Sequence, residues 1–178
     1  HIRINSPFFA YGNAITVEAW IDFNSGQHLW AGQGTASVDN MTANVWLWHA
    51  GTFYVNDNGT WRSLNFPITV PTGKVHVATV ADNTGMYIYY DGVLVASGTT
   101  PSSIIASGIR NNAGSVIDIG HDVRFPAGTP GRNTNFGIDN FTVWNTARSL
   151  VQIQNDMTDC FNGSEIGLVQ RNNFPEGT

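Results

Sequence analysis

An all-β fold, a sandwich of two antiparallel sheets with one short helix near the C-terminus, is what this sequence predicts, on three observations. The 178 residues include 19 Gly, 19 Asn and 17 Thr against one Lys and three Glu, a composition rich in turn and strand formers and poor in helix formers. About a dozen short stretches alternate apolar with polar residues at period two, separated by turn signals. Asp91-Gly92 sits between two such stretches, and a tight hairpin turn of type I′ needs two residues that accept positive φ.

Taken in order, the chain opens on strand-like His1-Ile2-Arg3-Ile4. From Ile15 to Phe23, Ile15, Val17, Ala19, Ile21 and Phe23 alternate with Thr16, Glu18, Trp20 and Asp22, so one face lies on a core. A short apolar stretch, Leu29-Trp30-Ala31, precedes a polar segment from Gly32 to Asn44 that reads as a loop. Val45–His49 and Thr52–Val55 flank Ala50-Gly51 as a hairpin, and Asn58-Gly59 supplies another turn before Trp61. Pro67 and Pro71 bracket an extended segment suited to a sheet edge. Lys74–Ala81, Met86–Tyr90 and Val93–Ala96 form the central meander around Asp91-Gly92. Val116–Gly120 and Phe136–Trp144 are two more strands, joined by a Gly/Pro/Asn-rich loop long enough to be a candidate for function. Ser149 with Gln152 three residues on is a capping box, and Leu150, Ile153 and Met157 fall on one face of the helix that follows, which should end near Cys160. A closing strand runs through Ile166 to Phe174, and a single domain over 1–178 is expected.

The charge balance removes several classes of partner. Eight basic against thirteen acidic side chains give a formal charge of −5, and the seven Arg are scattered, so the chain is not expected to bind nucleic acid. The longest uncharged apolar run is far short of the ~20 residues a membrane span needs, so no direct membrane insertion is expected. One cysteine, Cys160, permits neither an internal disulfide nor a Cys/His metal cluster. With so many Asn and Thr, the sequons at Asn40, Asn58, Asn140 and Asn162 are expected by chance.

Several segments together resemble the laminin G-like, concanavalin A-like jelly-roll domains, which include pentraxins, legume lectins and laminarinase-type glucanases. They are Ile15–Trp20, Val75–Val80, Met86–Val95, Ile117–Gly120, Gly137–Asn145 with the Arg148-Ser149 turn, and the closing Glu165–Val169 with Phe174–Gly177. The resemblance implies a jelly roll of two sheets and a module within a larger secreted or surface protein, placed outside the cell. It leaves function open among lectins, adhesion modules and hydrolases.

A glycosidase needs two carboxylates a few ångströms apart. The Glu-x-Asp-x-Glu strand of the glucanase branch is missing: Glu18 and Asp22 share a face, but Trp20 stands between them. No Gly-x-Ser-x-Gly elbow occurs, His76 reads as an ordinary strand residue, and the chain is expected not to be an enzyme. Sugar binding, in contrast, needs flat apolar rings beside amide and carboxylate groups, and the first third is rich in both. Trp30, Trp48, Tyr54 and Trp61, with Asn44 and Asn58, are the candidate contacts for a glycan or polysaccharide. Trp46 and Trp48 share a face that is either buried or the open surface, and Trp20 and Trp144 are assigned to the core. Calcium is the candidate cofactor. It wants six to eight oxygens, and Asp39, Asn44, Asn112 and Asp122 lie in loops near where the resemblance implies a metal, although Asp122 and neutral Asn44 stand where relatives are more acidic. A protein ligand bound by the same sandwich is the alternative, and a divergent β-glucan hydrolase a further one.

Overall fold

The computed structural model describes residues 1–5, 10–23, 31–38, 43–67, 71–126, 129–130, 136–159 and 161–174. Twelve strands form two antiparallel sheets of six. In the first, β1 (Ile2–Asn5), β10 (Val116–Ile119), β3 (Ala31–Gly34), β4 (Asn44–His49), β5 (Thr52–Asp57) and β6 (Thr60–Asn65) lie side by side in that order. In the second, the order is β12 (Leu168–Asn172), β11 (Gly137–Trp144), β2 (Ile15–Phe23), β7 (Gly73–Ala81), β8 (Met86–Tyr90) and β9 (Val93–Gly98).

Alternation along β2 sends Ile15, Val17, Ala19, Ile21 and Phe23 inward, where they meet Trp46, Trp48, Phe53 and Val55 of the first sheet. The three tight hairpin turns carry positive φ at Ala50-Gly51, Asn58-Gly59 and Asp91-Gly92, which matches the strand twist. One short helix, α1 (Leu150–Asp156), lies on the outer face of the second sheet, with Ile153 packed on Ala78 and Val80. Its capping box is formed as read from sequence: the Ser149 hydroxyl accepts the Gln152 N–H and the Gln152 side chain accepts the Ser149 N–H.

Some expectations change. The segment from Gly32 opens not as a loop but as strand β3, because Gly32 allows Leu47 and the Trp46 carbonyl to close over it: a Cβ there would stand 2.5 Å from Leu47 Cδ2 and 2.9 Å from the Trp46 oxygen. Helix α1 stops at Asp156, and Leu150 is 43% exposed rather than packed beside Ile153. Trp20 is half-exposed on the outer face of the second sheet rather than in the core. Trp144 is buried as expected, and the Arg148 guanidinium lies 3.9 Å from its ring. Trp30, Asp39, Cys160 and most of the segment between Pro67 and Pro71 lie outside the described residues.

Candidate functional site

The register of β4, β5 and β6 decides which aromatic rings are available. Trp46 pairs with Val55 and Trp48 with Phe53, and all four point into the sandwich. Trp48 is 1% exposed and its Nε1 donates to Thr79 Oγ1 at 2.9 Å, so it cannot stack on a sugar. This corrects the expectation for Trp48: the face it shares with Trp46 is the buried one. Asn44 is likewise removed as a glycan contact, being 1% exposed, with its Nδ2 donating to the Val38 carbonyl.

The opposite parity of the same strands faces outward. His49, Tyr54 and Trp61 are all half-buried and their rings run in a row across three strands, with centroids 6.1 Å apart for His49–Tyr54 and 6.0 Å for Tyr54–Trp61. Thr52, Ser63 and Asn65 share that face, and Thr52 Oγ1 donates to Asn65 Oδ1 at 2.9 Å. The row therefore offers apolar ring surface edged by hydroxyl and amide groups.

Three residues beyond Trp61, counting back through the turn, exposed Asn58 borders a cleft of about 460 Å³ at the end of the sandwich. Asn13, Arg110 and Asn111 line it with Asn58, and Gly12 and Gly108 bring backbone to its wall. Arg110 is half-buried in that wall, and its Nε is buried without a hydrogen-bond partner among the described residues. Asp57 ties the hairpin to this wall. Its Oδ2 accepts from Arg62 Nε and Nη2 and from the Ala106 N–H, and its Oδ1 accepts from the Ser107 N–H at 2.7 Å. Burial would raise its pKa, but these donors outweigh burial and hold the carboxyl below its ordinary value.

Sequence reasoning singled out Tyr54, Trp61 and Asn58 and missed Asn13, Arg110 and Asn111. Their only local signal is the Gly12-Asn13 turn; what brings them together is pairing between distant segments, including the bridge of Asp57 with Ile109.

Of the expected calcium ligands, Asn44, Asn112 and Asp122 lie in adjoining segments, and Asp39 is outside the described residues. Asn112 Nδ2 donates to Thr35 Oγ1 at 2.9 Å and to the Ala43 carbonyl, and the Ser37 N–H donates to the Val123 carbonyl, so these loops are neighbours. They do not form an oxygen cage among the described residues. Asp122 accepts from Arg124 Nε at 2.9 Å and Nη2 at 2.8 Å and is 3.6 Å from His49 Nε2, while Asn44 and Asn112 turn amide nitrogens to their neighbours. A calcium ion there would have to displace a guanidinium from the one carboxylate.

No accessible carboxylate pair appears on β2. Glu18 is 1% exposed beneath α1, its Oε1 accepting from Trp144 Nε1 and its Oε2 lying 3.6 Å from His76 Nε2. Burial, then the negative charge of Asp156, pushes the Glu18 carboxyl well above its ordinary value, and burial drives His76 down to about 4.

The model of the laminin G-like concanavalin A-like lectin/glucanase superfamily matches residues 1–154. The chain belongs to this superfamily. No curated protein sequence matches it. Among solved structures, a candidate carbohydrate-binding protein from Bacteroides ovatus superposes with a TM-score of 0.67 at 18% identity, covering 98% of this chain and 51% of that one. Domain 4 of AbnA, a GH43 extracellular arabinanase from Geobacillus stearothermophilus, in complex with arabinotriose, gives 0.54 at 18% identity, covering 84% and 69%. The heptameric SAP-like pentraxin of Limulus polyphemus gives 0.51 at 19% identity, covering 85% and 79%. At such identities these structures share the fold alone, and the chain spans about half the length of the Bacteroides protein.

Proposed function

We propose that the protein is a non-catalytic carbohydrate-binding module of an extracellular or cell-surface protein, taking a glycan on the Tyr54–Trp61 row and in the adjoining cleft. The observation that carries this reading is the half-exposed ring row leading to a cleft lined by Asn13, Asn58, Arg110 and Asn111. Rings cover sugar C–H faces, while Asn and Arg donors fix hydroxyl or carboxylate groups. Likeness of fold to a candidate carbohydrate-binding protein and to an arabinanase domain solved in complex with arabinotriose supports it. The burial of Glu18 under α1 counts against hydrolysis on β2.

A second reading, docking of a protein ligand, is favoured by edge strand β9, where Val93, Leu94 and Val95 are 62%, 48% and 38% exposed. The test is a glycan array followed by calorimetry on the best hit, in calcium and in chelator. Trp61→Ala should weaken binding at least tenfold with an unchanged melting temperature, a stacked ring being worth on the order of 1–3 kcal/mol. Binding that survives both Trp61→Ala and Tyr54→Ala, or an array silent in both buffers, overturns the glycan reading. Loss of binding in chelator would support the calcium expectation.

A further inference from the structure

We propose that His1, Asp118 and His121 form a site for a borderline divalent cation such as zinc on the outer face of the first sheet, at its β1–β10 edge. The three side chains offer one donor atom each, all within 4.8 Å of one another. Register places Arg3 opposite Asp118 and Ile2 opposite Ile119, so His1 lies beside the end of β10. Gly120, at φ 75°, then turns the chain so that His121 folds back over Asp118.

The second observation concerns the His121 ring. It is fully buried, and its Nε2 lies 3.2 Å from the Pro126 carbonyl, which can only accept. The Nε2 nitrogen therefore carries a hydrogen, which leaves Nδ1 as the ring atom turned toward Asp118. That Nδ1 has no hydrogen-bond partner and faces Asp118 Oδ2 at 3.5 Å. A buried imidazole nitrogen and a buried carboxylate oxygen that face each other without a hydrogen bond are a ready donor pair for a cation. An imidazole whose other N–H is tied to a backbone carbonyl is also the usual arrangement around a bound metal.

The spacing fits. Two donors on a tetrahedral zinc at about 2.0–2.1 Å are separated by about 3.3 Å, close to the 3.5 Å observed. His1 Nε2, 4.0 Å from Asp118 Oδ1, belongs to a side chain that is 26% exposed and free to close the remaining gap. Asp118 is already held by Arg3, whose Nε and Nη2 donate to Oδ1 and Oδ2 at 2.7 Å each. A carboxylate has about four acceptor positions, so one on each oxygen is left toward the imidazoles. The shared charge makes the site weaker than a closed structural zinc centre, and the imidazole pair selects zinc, nickel or copper over calcium.

Calorimetry of untagged, chelator-stripped protein with zinc chloride should find one ion per chain, and a hundredfold excess over Kd should raise Tm by roughly 5–10 °C. His1→Gln, a change at an exposed ring, should weaken uptake at least tenfold, and cobalt(II) in the native protein should show the strong visible bands of tetrahedral coordination, lost in that variant. Extending the chain by Gly-Ser before His1 should leave uptake in place, because the ligand is the imidazole. Absent uptake, uptake indifferent to His1→Gln, or an NMR spectrum with both His121 ring hydrogens present and unmoved by zinc overturns the proposal. The last result would identify a protonated His121 as the charge that faces Asp118.

Discussion

Glu18 and His76 lie 3.6 Å apart beneath α1 with opposite protonation biases, and this sets an expectation for acid stability. His76 is held neutral down to about pH 4, so between its unfolded value near 6.5 and 4 the unfolded chain binds the extra proton and stability falls with falling pH. Glu18 is biased the other way: the folded state keeps its proton above pH 4.5, so its contribution is full below 4.5 and is lost as pH rises. Across 4.5–6.5 the two effects oppose each other. Glu18→Gln should therefore steepen the loss of stability on acidification in this window by up to roughly 1 kcal/mol per pH unit relative to the parent. Denaturant unfolding at several pH values measures this, and equal slopes in the two proteins would sink it. None of this coupling was legible in the sequence, where Glu18 and His76 are 58 positions apart and only their period-two parity was visible. Trp48 teaches the same lesson: its parity with Trp46 was clear, but which face was the inner one depended on packing by the second sheet.

Strands and turns were far easier to read, because period-two alternation and Asn-Gly or Asp-Gly turns are local signals. β2, β7, β8 and the capping box of α1 came directly from them. β3 did not, since Gly-Gln-Gly carries no alternation; its strand is imposed by close approach to β4 and by buried Gln33, which accepts from the Tyr11 hydroxyl and from Trp46 Nε1 and donates to Ser115 Oγ at 2.9 Å. Gly32→Ala should thus cost about 1–3 kcal/mol of unfolding free energy, through overpacking against the Trp46 carbonyl. A loss under 0.5 kcal/mol in a urea titration would show that β4 yields instead. At α1, Ser149→Ala removes one side of the capping box and should cost about 1 kcal/mol. Since the helix covers Glu18, the same variant should also speed hydrogen exchange of the Trp144 indole N–H, and an unchanged rate would mean that the cover does not depend on the cap.

For the molecule as a whole, the two-sheet jelly roll was legible because the superfamily resemblance and the alternation agree, and the family match confirms it. The candidate binding surface was legible only by half. Tyr54 and Trp61 stood out as aromatic residues in an Asn-rich stretch, whereas the cleft is assembled from residues 12–13, 58 and 107–111, whose meeting depends on chain closure. Asp57 is what holds that closure: four donors from Arg62, Ala106 and Ser107 converge on a side chain that is 1% exposed. Asp57→Asn should lower unfolding free energy by roughly 2–4 kcal/mol, read by thermal and urea melts, because the half-buried Arg62 loses its counter-charge and an amide NH2 at a buried position faces other donors. Under the proposed glycan reading, Asp57 fastens ring row and cleft together, so an oligosaccharide long enough to reach from Trp61 to Arg110 would meet a surface already in its bound shape. Chain length of the sugar should then show up as affinity gained with little entropic penalty from the protein, and loosening that fastening should penalise long oligosaccharides more than short ones.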